Sequence, residues 1–277
     1  MHHIELDDLL RRALAEDIGP GDITTLGCVP ADAISKGRFV AKESGIACGL
    51  PVLLRVFALL DSAVTVTLLV SDGDQVESGT VIAEIAGPSR SVLQGERLAL
   101  NFLQRLSGIS TRTAEAVAQV AGTGANICDT RKTTPGLRAL EKYAVKTGGG
   151  SNHRFGLFDG VLIKDNHIVA AGGITSAVAA ARASAPHTAK IEVETTCLTE
   201  VEEALSAGSD IIMLDNMDLA TMKEAVRLIG GRALTEASGN MGDRKLREVA
   251  ETGVDFISIG ALTHTVRALD ISLRFTE

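Results

Sequence analysis

Six short apolar runs recur through the second half of the chain: Ile127-Cys128-Asp129, Val161-Leu162-Ile163, Ile191-Glu192-Val193, Ile211 to Leu214, Arg232 to Thr235 and Phe256 to Ile259, with amphipathic helical stretches between most of them. Alternating strands and helices of this kind pack as parallel strands with crossover helices, in a barrel or a doubly wound sheet. No GxGxxG follows a strand, so the main signal of a dinucleotide-binding sheet is missing. Nearly every run ends instead in polar side chains: Asp129-Thr130-Arg131-Lys132, Lys164-Asp165-Asn166, Glu194, Asp215-Asn216, and Glu236 with Ser238-Gly239. In a βα barrel such strand ends converge on one face, where the active site sits. The expected class is therefore α/β, with a barrel-like C-terminal domain.

The N-terminal part reads differently. Ile4 to Glu16 sets Leu6, Leu9, Leu10, Ala13 and Leu14 on one face of a helix that Ile18-Gly19-Pro20-Gly21-Asp22 stops. Strand-like runs follow at Arg38 to Ala41, Val64 to Val70 and Val81 to Ile85, around a helix near Leu50 to Leu60, which makes an α+β region. Gly73 to Val76, with Gly79 and Ile82, resembles the hairpin of biotinyl or lipoyl carrier domains, but no lysine stands at the tip and a plain hairpin is expected. Ser91 to Ala121 reads as a long helix, broken at Gly108, that bridges two domains. We divide the chain into residues 1–110 and 111–267, with 268–277 packing back on the first domain.

Composition narrows the classes. With 45% hydrophobic and 22% charged residues, disorder is excluded. The longest strongly apolar stretch, Cys48 to Leu60, is interrupted by Arg55 and falls short of the roughly 20 residues a bilayer requires, so no membrane partner is expected. The first twenty residues lack a basic region followed by an apolar one, and Cys28, Cys48, Cys128 and Cys197 form no CxxC pair. Both features suit a reduced, cytoplasmic protein. The net charge is −8, yet between Arg131 and His167 seven Lys or Arg face three acids, leaving that window at +4 and the remainder at −12. A basic island in an acidic chain points to a focused pocket for a small anion. Nucleic acid is not expected, because it calls for a broad basic face with stacking aromatics and this chain has no Trp and one Tyr.

Candidate residues follow from position. Ser238-Gly239-Asn240 and Gly260-Ala261 close the last two runs with small residues whose backbone N–H groups can face a phosphate. Arg131 and Lys132, with His153-Arg154 after Gly148-Gly149-Gly150, suit a ligand bearing more than one carboxylate, since guanidinium grips carboxylates bidentately. The three glycines are expected to let backbone approach that ligand, and Arg138, Lys142 and Lys146 to lie on a solvated helix face. Lys164 can be an anion clamp, a Schiff-base nucleophile, or the ion-pair partner of Glu192 or Glu194. Glu194 and Asp215 can hold ribose hydroxyls, meet magnesium through a substrate, or stabilise a cation. His167 and His264 lack metal-ligand spacing and are read as structural, His2 and His3 as inert.

The run Asp129 to Ile168, DTRKTTPGLRALEKYAVKTGGGSNHRFGLFDGVLIKDNHI, closely resembles the signature of the quinolinate phosphoribosyltransferase family. AEDIGPGDITT from Ala15, GERLALNFLQRLSGIST from Gly95, IEVE from Ile191, IIMLDN from Ile211 and TGVDFISIGALTH from Thr252 extend the resemblance along nearly the whole chain. It implies an N-terminal α+β open sandwich followed by an incomplete α/β barrel, the type II phosphoribosyltransferase fold, in a homodimer or higher homo-oligomer. It implies conversion of quinolinate and phosphoribosyl pyrophosphate to nicotinate mononucleotide, pyrophosphate and CO2, with Mg2+, in de novo NAD synthesis. By motif, Arg131, Lys132, His153, Arg154 and Lys164 would hold quinolinate, joined by Arg97 of the partner subunit. Lys164, Glu194, Asp215, Ser238, Gly239, Asn240, Gly260 and Ala261 would meet phosphoribosyl pyrophosphate, and Lys132, Lys164, Glu194 and Asp215 would carry the chemistry. No protein ligand for magnesium is firm; the ion would sit mainly on substrate, near Glu194 and Asp215.

Two positions depart from the family pattern. Thr195-Thr196 stand where many members carry Val and another acid or amide, and Asn240 stands where others carry Gly. Three rivals are a paralogue of the same fold acting on another acceptor, a class I aldolase using Lys164, and a non-catalytic sensor of an anionic metabolite. The two cationic pairs, sized for a dicarboxylate, favour the transferase.

Overall fold

The computed structural model describes residues 3–276; Met1, His2 and Glu277, with the side chains of His3 and Ile4, lie outside the described residues, and so do the readings of His2 and His3. The chain begins with α1 (His3–Ile18), α2 (Ile23–Cys28), β1 (Ile34–Ala41), β2 (Gly45–Ile46), α3 (Leu50–Leu60), β3 (Thr65–Leu68), β4 (Gln75–Val76), β5 (Val81–Pro88) and α4 (Ser89–Val120). It continues with β6 (Asn126–Cys128), α5 (Arg138–Thr147), β7 (Val161–Ile163), α6 (Asp165–Ala171), α7 (Ile174–Ser184), β8 (Ile191–Thr195) and α8 (Leu198–Ser206). Last come β9 (Ile211–Asp215), α9 (Leu219–Ile229), β10 (Leu234–Ser238), α10 (Leu246–Ala250), β11 (Phe256–Ser258), α11 (Ala261–His264) and β12 (Ile271–Thr276). Two compact units result: one takes the chain up to Ala114, Thr134–Gly149 and the part from Val266 onward, the other Glu115–Thr133 and Gly150–Thr265.

In the first unit an antiparallel sheet runs β12-β1-β5-β3. The Phe57 ring of α3 lies 6.4 Å from Phe39 of β1, and both are buried. Burial of such a side chain stabilises by roughly 1.5–3 kcal/mol. Leu6, Leu10 and Leu14 of α1 turn inward as their spacing predicts. Four expectations change here. Helix α4 runs unbroken through Gly108, where a Cβ would lie 2.2 Å from the Arg267 carbonyl oxygen, so the glycine admits a crossing backbone. Strand β4 pairs with β2 instead of folding onto β5 as a hairpin. Gly148 serves helix packing, because a Cβ there would meet the Ser110 carbonyl at 2.4 Å, and Lys142 is only 2% exposed, on the side of α5 that also buries Glu141 and Val145. Glu141 in turn accepts the Nε–H of Arg105 and the backbone N–H of Thr134, each at 3.0 Å.

The second unit holds six parallel strands in the order β6-β11-β10-β9-β8-β7. No ladder joins β6 to β7, so the barrel is incomplete. Ile127, Ile191, Val193, Ile212, Leu214, Ala237 and Ile257 are at most 2% exposed, as strands covered on both faces require. The fifth strand starts at Leu234, two residues later than its apolar run suggests. Gly230 and Gly231 are still turning with positive φ, and Arg232 donates to the carbonyls of Ile229 and Leu228 at the end of α9. Among the described residues, no helix is long and apolar enough to cross a membrane.

Candidate active site

Register sets the heights of the site. Glu194, Met213 and Glu236 are neighbours across three strands, and one strand period further on Asp215 neighbours Ser238. Side chains two residues apart share a face and stand roughly 7 Å apart along it. Glu192 therefore lies one period below Glu194, which is level with Glu236; Glu192 and Glu236 are buried, whereas Glu194, Asp215 and Ser238 are partly exposed.

Glu194, Met213, Asp215, Glu236 and Ser238 open onto a cavity of about 340 Å³ in the second unit. Arg131, Lys132, His153, Arg154, Lys164, Glu194, Asp215, Ser238, Gly239 and Asn240 all line it. Gly260, Ala261 and Arg97 do not; Arg97 is exposed on α4, and Gly260 stands beside Lys132, where a Cβ would come 3.0 Å from the lysine Cδ. Thr130, Leu162, Met213, Asn216, Glu236 and Ser258 also line the cavity without having been assigned roles. The period of two on β10, which puts Glu236 on the face of Ser238, was the signal available for the most chemically active of them.

The cationic wall is fixed from behind. Buried Asp129 accepts the backbone N–H of His153 at 2.9 Å, and Asp159 accepts those of Phe155 and Gly156, which sets the loop that carries Arg154. Arg154 donates to the Gly160 carbonyl at 3.0 Å, while its Nε is buried with no hydrogen-bond partner. Burial first, and then the nearby Arg131 charge, push the Arg154 guanidinium below its ordinary pKa. Two cations drawn together out of water call for an anion between them. Lys164 forms an ion pair with Glu194, which is the structural alternative among its three readings. The His167 ring accepts the Lys164 backbone N–H at 2.9 Å and starts α6, a structural role.

The opposite wall is built for close approach. Gly239 has φ +94°, and a Cβ there would lie 2.2 Å from Asn216 Oδ1. Asn240 follows at φ +52°, a conformation that asparagine tolerates better than other residues with a side chain, so its departure from glycine keeps the turn. Thr195 points away from the cavity, is fully buried and donates to the Met213 carbonyl at 2.8 Å, while Thr196 bonds Glu200 at the start of α8. Both threonines stabilise the strand end.

Residues 109–274 match the model of the quinolinate phosphoribosyl transferase C-terminal domain, and residues 22–107 that of the N-terminal domain. The chain is 47% identical over 276 residues to a probable nicotinate-nucleotide pyrophosphorylase (carboxylating) of Bacillus subtilis (strain 168), covering 100% of this chain and 95% of that protein. It is 44% identical to the mitochondrial quinolinate phosphoribosyltransferase (decarboxylating) 2b of Nicotiana tabacum, over 98% and 82% of the two. Its fold is similar to that of the nicotinate-nucleotide pyrophosphorylase of Francisella tularensis, with a TM-score of 0.96 at 41% identity over 100% and 98%.

Proposed function

The chain belongs to the quinolinate phosphoribosyltransferase family, and from that premise we propose how its cavity divides the reaction among its residues. It transfers the phosphoribosyl group of phosphoribosyl pyrophosphate to quinolinate with loss of CO2, giving nicotinate mononucleotide and pyrophosphate in de novo NAD biosynthesis. The observation that carries the division is the pairing of Arg131 with a partly buried Arg154 in one cavity, a charge that a dicarboxylate neutralises.

Arg131, Lys132, His153 and Arg154 form the quinolinate side, with Lys164 between the two substrates. Ser238, Gly239 and Asn240 offer the 5-phosphate a turn of exposed backbone, and Gly260 and Ala261 would join them there. As pyrophosphate leaves, positive charge grows on the ribose carbon, and Glu194 and Asp215 are the carboxylates at the mouth that can stabilise it. The ring nitrogen then attacks, held in line by the arginines. The oxygen donors of Glu194 and Asp215 suit Mg2+, which when bound would offset the charge of the leaving pyrophosphate.

A homodimer completes this reading, with Arg97 of the partner subunit reaching quinolinate. Leu157 and Phe158, 73% and 82% exposed, are apolar surface that a second copy would cover. If so, mixing inactive Arg97→Ala with inactive Lys164→Ala protein under subunit exchange restores part of the activity; no recovery despite verified exchange removes the shared site. We also place the protein in the cytoplasm, in keeping with four free cysteines.

The direct test supplies Mg2+, phosphoribosyl pyrophosphate and either quinolinate or nicotinate, and follows CO2 and nicotinate mononucleotide together. Product is expected from quinolinate alone. Equal product from nicotinate would contradict the dicarboxylate reading.

A further inference from the structure

Two buried carboxylates beside His153 have no part in the roles above. Glu192 of β8 and Glu236 of β10 are 3% and 4% exposed, and their Oε2 atoms lie 3.0 and 3.7 Å from His153 Nε2. The other ring nitrogen, Nδ1, accepts the Arg154 backbone N–H at 2.8 Å. A nitrogen that accepts points its lone pair at the donor, which leaves Nε2–H as the donor on the side of the two acids. That donor goes to Glu192, the nearer acid, and offers no lone pair to a metal ion. Both Oε1 atoms are buried without a hydrogen-bond partner.

Two buried carboxylates whose nearest oxygens lie within 4.8 Å of each other around one imidazole repel as anions, and such pairs favour retaining a proton. Burial foremost, and then the charge of Glu192, push Glu236 up to about 7; His153, Ser258 and Lys164 act in the opposite direction. Cys128 of β6 also faces it, with Sγ 4.0 Å from Glu236 Oε2. Of the two acids, Glu236 alone lines the cavity.

The assigned reaction creates a need for that proton. Once the ring nitrogen is quaternary, the bond from C2 to its carboxylate breaks, CO2 leaves, and the electron pair stays on C2 beside the positive nitrogen. We propose that Glu236 is the acid that protonates this carbon. The O–H bond of Glu236 breaks as the C2–H bond forms, Glu236 becomes a carboxylate, and water restores its proton after product leaves. Lys164, another proton-bearing group on the wall, is engaged by Glu194. The inference rests on the reaction assigned above.

Glu236→Gln tests it in the intact enzyme, because glutamine keeps the shape and can donate a hydrogen bond but cannot deliver a proton. In a single turnover, pyrophosphate should appear within about threefold of the wild-type rate, while nicotinate mononucleotide forms about a hundredfold more slowly and the undecarboxylated adduct accumulates. Wild-type product formation should fall as pH rises through about 7, since the acid form is then lost, and this limb should be absent from the variant. Normal product formation by Glu236→Gln overturns the proposal, as does an equal loss of pyrophosphate and product, which marks a positioning role. Should the variant not fold, a wild-type single-turnover rate that stays flat from about pH 6 to about pH 8.5 overturns it as well. Wild-type enzyme that releases no pyrophosphate from the two substrates would instead sink the assigned reaction.

Discussion

Arg154→Ala is expected to raise the KM for quinolinate about a hundredfold and that for phosphoribosyl pyrophosphate less than about threefold. A hydrogen bond to a charged group contributes roughly 1.5–3 kcal/mol, and each 1.4 kcal/mol is about a factor of ten, so loss of a bidentate grip costs about two decades. The effect should be one-sided because Arg154 sits on the loop held by Asp129 and Asp159, across the cavity from the Ser238-Gly239-Asn240 turn. Arg154→Lys should recover only part of the loss, since an ammonium keeps the charge but not the planar fork. Steady-state kinetics with each substrate varied in turn decides this, and equal losses for both substrates would remove Arg154 from the quinolinate side.

Gly239→Ala should show the reverse preference. An alanine at φ +94° costs roughly 1–2 kcal/mol in backbone strain. Its Cβ would also stand 2.2 Å from Asn216 Oδ1 and 2.8 Å from Asn216 N, and forcing that neighbour aside adds roughly 1–3 kcal/mol. Lower stability in denaturant and a KM for phosphoribosyl pyrophosphate raised at least about tenfold are expected, with quinolinate much less affected. Asn240→Gly is the control: it keeps the turn and should leave both parameters near wild type. A normal phosphoribosyl pyrophosphate KM in folded Gly239→Ala enzyme would mean that the phosphate lies elsewhere.

The parallel strands were legible because strands buried on both faces must be apolar and must end where the polar residues begin. Arg131, Lys164, Glu194 and Asp215 could be placed by that rule alone, and all four line the cavity. Contacts between residues distant in the chain were not legible. Gly108 looks like a break until the backbone at Arg267 is seen against it, and Lys142 looks solvated until the buried side of α5 is known. The apolar run at Arg232 suggested a strand that the two preceding glycines delay. Glu236 stood at a strand end in plain view, but it differs from Glu194, its level neighbour in the register, in burial, and burial depends on what distant parts of the chain pack around it.

Strand β12 carries a consequence for the order in which this protein can be made. It forms the outer edge of the first unit's sheet, pairing with β1 from Lys36 to Ala41, yet it leaves the ribosome long after β1 does. The first unit's sheet therefore cannot be completed until Gly150–Thr265 of the second unit have been made, and β1 waits with a bare edge while more than two hundred residues are translated. At about 5–20 residues per second that wait lasts on the order of ten seconds or more, during which an exposed edge can recruit another nascent chain.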